Sequence, residues 1–198
     1  MTLSAEEIEK NWNTFVSFVN KIDVERVQFA IDMVDSLAER LATAPASSRA
    51  GYHNAFPGGL VDHSLRVLGN GFRLMKAFDW PVKRESLIIA CLFHDLGKVG
   101  DVDNDLYLPQ PEQWRADKNG ELYVYNQNMQ FMTVPDRGIF LCQHFGLRLT
   151  ADEMLAIKLN DGQYVQENIP YRLKEPLLAD VVHIADVIAT KQEKGILP

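Results

Sequence analysis

The sequence predicts a mostly α-helical fold in one domain, spanning residues 1–198, on three observations. Apolar residues recur at helical spacing along most of the chain. Ser/Thr-x-x-Glu capping boxes open two of those stretches, and strand-like patterning is confined to residues 100–135. At 198 residues, 46% hydrophobic and 24% charged, the chain can bury a sizeable core and is not globally disordered.

Residues 1–48 read as N-terminal helices. Ser4-x-x-Glu7 caps a helix carrying Ile8, Trp12, Phe15 and Val19. Asp23 is expected to cap a second helix with Val27, Ile31, Val34, Leu37 and Leu41, ending before Pro45. The breaker-rich segment Ala44–Gly59 reads as an ordered loop. A third helix follows from about Leu60 to Phe78 and a fourth from about Val82 to Leu96, with Gly97 placed to terminate it. In the insertion at 100–135, Tyr107, Trp114, Tyr123, Val124 and Tyr125 flank Asn119-Gly120, which favours a hairpin turn, and the aromatics read as a small core of their own. Asp136 and Thr150 are expected to cap two further helices, and Glu175-Pro176 to start the last. Gly69-Asn70-Gly71 lacks the third glycine of a dinucleotide site, and close helix packing explains it better.

A net charge of −7 argues against long nucleic acid as the main ligand and leaves small anions and proteins open. Two cysteines, one inside an apolar run, make no disulfide framework and fit a cytoplasmic setting. The acidic start and the lack of a long apolar stretch lead us to expect neither a signal peptide nor a membrane span. The apolar N-terminal helices leave an oligomer open.

Three places put metal-binding side chains where burial is costly. His63 sits where an apolar stripe of the third helix (Leu60, Val67, Leu74) meets a polar arc. His94-Asp95 follow seven consecutive apolar residues, Leu87–Phe93, so an imidazole and a carboxylate project from the end of a core helix. Asp186 lies at the edge of the apolar face of the last helix. Singly, each has a plain structural reading, as a hydrogen-bonded core histidine or a solvated acid. Together, two imidazoles and two carboxylates suit one divalent transition metal ion such as Mn, Fe, Co, Ni or Zn.

These residues, in the order G-G-L-x-x-H at Gly58–His63, H-D-x-G-K at His94–Lys98 and H-x-A-D at His183–Asp186, resemble the HD superfamily of metal-dependent phosphohydrolases. The wording is similar to HD domains of bacterial 3′→5′ exoribonucleases and to small bacterial and tailed-phage HD proteins. The resemblance runs from about Tyr52 to Lys191 and implies an all-α HD helical bundle. It implies His63, His94, Asp95 and Asp186 as metal ligands. It also implies hydrolysis of a nucleotide or other small phosphate ester, with Asp95 orienting the water and Lys98 meeting the phosphate. Arg66 is a second candidate for substrate binding, with a surface ion pair as its other reading. Two-metal relatives carry further histidines; the matching places here hold Asn160 and Val134–Arg137, so one ion is expected. His144, in that gap, reads either as a ligand or as a helix-end histidine. His53 and His183 read as supporting residues. Asp101 reads as a water-assisting or a loop residue. Two alternatives stand beside the hydrolase: a phosphodiesterase trimming short oligonucleotides, and a non-catalytic metal- or nucleotide-binding module.

Overall fold

The computed structural model describes residues 2–198. It is an all-α bundle carrying one two-stranded ribbon. Helix α1 (Ala5–Val19) starts at Ser4, whose hydroxyl accepts the Glu7 N–H while Glu7 returns the bond to the Ser4 N–H. Helix α2 (Val27–Ser36) begins later than expected and stops before α3 (Ala38–Thr43), where the sequence predicts one helix to Leu41. Asp23 does not cap it. Tertiary ion pairs set its start instead: the Asp23 N–H and the Arg26 side chain both turn to Glu85, and Arg26 grips Glu153 with two further bonds.

Helix α4 (Gly59–Phe78) runs against α5 (Arg84–Phe93) and, most extensively, α9 (Leu177–Glu193). A side chain at Gly71 would press on Leu87 and Cys91, so the glycine lets α4 and α5 approach closely. Helix α5 is buried along Ser86–Phe93, as its apolar run demands. It stops sooner than expected, and a 3₁₀ turn follows at Leu96–Val99. Gly97 therefore does not terminate a helix through a left-handed backbone. It is required because a Cβ there would overlap the Val134 carbonyl of α7 (Val134–His144).

The insertion also departs from expectation. Strands β1 (Tyr107–Pro109) and β2 (Tyr123–Tyr125) pair antiparallel, with Tyr107 opposite Tyr125. Asn119-Gly120 is not their turn, because α6 (Gln113–Asn119) stands between the strands and Gly120 ends that helix at φ +65°. A positive-φ glycine serves a hairpin turn and a helix end equally well, so the dipeptide alone does not separate the two. The ring of Tyr107 packs near Tyr123 and Tyr125, whereas Trp114 is half exposed under Arg115 and outside that small core.

Thr133, not Asp136, caps α7; Asp136 supplies the N–H that the Thr133 hydroxyl accepts. Thr150 and Glu153 form the expected capping box of α8 (Ala151–Lys158). Pro176 stands one position earlier than expected, at the cap of α9. One apolar cluster, including Phe15, Met33, Leu60, Ile88, Phe93 and Val182, joins these helices around the junction of α4, α5 and α9. Among the described residues, no helix is long and apolar enough to cross a membrane.

Candidate metal centre

Helices α4 and α9 and the end of α5 bring His63, His94, Asp95 and Asp186 to one point. The two Nε2 atoms of His63 and His94 are 3.2 Å apart. Asp186 Oδ1 lies 3.1 Å from His63 Nε2, and Asp95 Oδ2 lies 3.4 Å from His94 Nε2 and 3.7 Å from His63 Nε2. Both imidazoles are completely buried.

What stands behind each ring decides what stands in front of it. His63 Nδ1 meets Glu193 Oε1 at 2.9 Å, and His94 Nδ1 meets the Cys91 carbonyl at 2.9 Å. Both partners accept, so both Nδ1 atoms carry protons and both Nε2 atoms present lone pairs. Two lone pairs and two carboxylates then converge in the interior, an arrangement that needs a cation at its centre. The residues fit a divalent ion: imidazoles backed by a carboxylate and a carbonyl are how proteins orient such ligands. Without an ion a proton takes that role. Burial disfavours charge on His63, but hydrogen bonding to Asp186 and Glu193 outweighs it and raises the ring to about 10.

Lys98 Nζ lies 2.5 Å from Asp95 Oδ2. Burial pushes the Asp95 carboxyl up, yet Lys98 and the two histidines hold it well below the ordinary range. Asp186 is likewise held down by His63 against the effect of burial. His53 stacks beside His63 with ring centroids 4.7 Å apart. Burial, and then the charges of His63 and Lys98, lower its pKa to about 3, so the ring is neutral. Ligand atoms of His53, His63 and Glu193 lie within 4.8 Å of one another, as do those of His63, His94 and Asp95.

Other sequence candidates fall elsewhere. Arg66 donates to Asp62 at 2.8 Å and comes within 4.0 Å of Glu193, which places it on the Nδ1 side of His63, away from the converging Nε2 atoms. His144 is exposed at the end of α7 beside Phe140 and Phe145, outside both groupings of metal-binding side chains. Asp101 belongs to its loop, accepting the N–H groups of Asp103 and Asn104. His183 bonds the Asn160 carbonyl and fills the space that Gly162 leaves open. Asn160 in turn donates to the His94 carbonyl.

The sequence reading missed Glu193 and gave no part to Asp161. Glu193 lies two helical turns beyond Asp186 on α9, so the two share a face, and that spacing was the available signal. Asp161 is raised by burial and by the neighbouring Asp95 charge, which marks it as a group close to the centre.

Two buried histidines with two carboxylates beside them, at the junction of a helical bundle, make a group that could hold a divalent metal ion. The family model of the HD domain matches residues 60–191, more than half of the chain, and the chain belongs to that family. HD domains form a superfamily of metal-dependent phosphohydrolases. No curated protein and no solved structure matches the chain.

Proposed function

We propose that this protein hydrolyses a nucleotide or other small phosphate ester, with His63, His94, Asp95 and Asp186 holding one divalent transition metal ion. The observation that carries the reading is the convergence of two imidazole lone pairs, each fixed by an acceptor behind its ring. A bound ion would supply Lewis acidity, making a water more acidic and polarising a phosphoryl oxygen. The protein's own groups do the rest. Asp95 orients the attacking water, and Lys98, paired with Asp95 at 2.5 Å, neutralises charge as it gathers on the phosphoryl oxygens. Arg66 has no part in this reading, because Asp62 engages it on the far side of His63.

A small substrate is favoured over an oligonucleotide. The net charge of −7 offers no footprint for a phosphate backbone, and the centre is rich in carboxylates. The shared apolar cluster supports a single domain, and the two buried cysteines with free thiols support a reducing, cytoplasmic compartment. The test is a panel of nucleotides incubated with the Mn-supplemented protein and scored for phosphate, pyrophosphate or triphosphate. Release of one such product supports the reading. No release from any member, at full metal occupancy, favours a binding module.

A further inference from the structure

A cavity of about 850 Å³ lies behind His63, on the side of its Nδ1. Glu193, whose Oε1 meets that nitrogen, forms part of its wall, with Asp62 and Arg66 from α4, Lys194 from the end of α9, and Tyr52. Neither Lys98 nor any of the four converging residues of the metal centre lines it. Its size suits a small molecule, for which sites run to about 300–1,000 Å³.

The charges around this cavity are unevenly committed. Asp62 accepts from Asn11, Asn54 and Arg66, so its carboxylate is fully engaged. Glu7 is occupied in capping α1, and Glu193 in holding His63. The cations keep more in reserve. Arg66 engages Asp62 through Nε alone, which leaves its two terminal nitrogens without an acid among the described residues. The Lys194 ammonium has no acid partner there either, and lies 6.0 Å from the centre of the Tyr52 ring. That ring is 55% exposed. Two uncommitted cations beside an open aromatic face match a ligand that joins a compact anion to a planar ring. A long polyanion is disfavoured by the net charge of −7, whereas a single phosphate needs only these two side chains.

We propose that this cavity binds a nucleoside monophosphate, with its phosphate between Arg66 and Lys194 and its base against Tyr52, at a site separate from the metal centre. The assignment does not rest on the functional reading above. It gives a role to Arg66, which the metal centre leaves out.

The test is calorimetry on the full-length, Mn-loaded protein with the methylenephosphonate analogues of AMP, CMP, GMP and UMP, whose C–P bond resists hydrolysis. Arg66, Lys194 and Tyr52 are all exposed, so their variants are expected to fold. At least one analogue should bind. Arg66→Ala and Lys194→Ala should each weaken it by about tenfold or more, the loss of a charge-assisted contact. Tyr52→Ala should also weaken it, with Tyr52→Phe close to wild type, and Lys98→Ala should bind it as wild type does. Binding that survives Arg66→Ala but is lost in Lys98→Ala overturns the assignment and places the ligand at the metal centre. Sensitivity to the two cations with none to Tyr52→Ala overturns it in favour of a site for phosphate alone. Binding of no analogue by wild type overturns it outright, while release of product in the nucleotide panel still decides the hydrolase reading separately.

Discussion

Glu193 and Asp186 hold the same imidazole from opposite ends: Glu193 Oε1 meets His63 Nδ1 at 2.9 Å, and Asp186 Oδ1 meets His63 Nε2 at 3.1 Å. Both acids come from α9, two turns apart, so one helix both orients the ring and contributes beside its reactive nitrogen. Glu193→Ala should therefore weaken metal binding by about 10–100-fold, the usual cost of removing a group that orients a metal-binding histidine. A metal titration of the variant reads this directly. Affinity within a factor of two of wild type would show that the Glu193 contact has no such role.

Purified protein should carry close to one divalent ion per chain, and His94→Ala should abolish it. His144→Ala should leave it unchanged, since His144 is exposed on α7 away from the cluster. Elemental analysis of the three proteins decides the matter. Full occupancy in His94→Ala would refute the assignment.

Lys98→Ala should lower turnover by roughly 10²–10³ with metal content intact, the loss expected for one well-placed electrostatic stabiliser. Arg66→Ala should change turnover by less than about threefold, because Asp62 holds Arg66 on the far side of His63 from the converging Nε2 atoms. Steady-state kinetics on the substrate found by the nucleotide panel compares them. Equal effects would mean that phosphate reaches both sides of His63.

Acid should unfold the protein in part through Glu153. Its side chain is fully buried, and Arg26 donates two bonds to it at 2.7 and 3.0 Å. Burial raises its pKa, but Arg26 and the Thr150 N–H more than compensate and hold it below the ordinary carboxylate range. A depressed carboxyl stabilises the fold above its unfolded pKa and loses that contribution as pH falls through the folded value. Glu153→Gln should cost roughly 1.5–3 kcal/mol at neutral pH, because Arg26 loses one of its two carboxylate partners and keeps Glu85. Its stability should also fall less steeply than wild type between about pH 5 and pH 3. Denaturant unfolding across that range checks both. Parallel curves would exclude Glu153 from the acid transition.

Gly97→Ala should destabilise the fold by roughly 2–4 kcal/mol, since the added methyl runs into the Val134 carbonyl and the neighbouring backbone cannot retreat easily. Thermal melting measures it. An unchanged midpoint would mean that the first turn of α7 shifts freely away from Leu96–Val99.

By itself the sequence determined what depends on neighbours along the chain. The capping boxes at Ser4 and Thr150, the buried run Leu87–Phe93 and the helical class all rest on hydrogen bonds and periodicity within a few residues. The motif order singled out His63, His94, Asp95 and Asp186, and α4, α5 and α9 bring those four together. Tertiary structure decided the rest. Glu193 finds His63 across 130 residues, and Asn160 finds His94 across 66, distances over which no local pattern operates. Arg26 unseated Asp23 as a helix start because its partners, Glu85 and Glu153, lie on other helices. Arg66 and Lys98 look alike in sequence, each one turn past a motif residue; only packing sends one to Asp62 behind the ring and the other to Asp95 in front of it. Gly120 could end a helix or make a turn, and a glycine with positive φ does not distinguish them until its neighbours are placed.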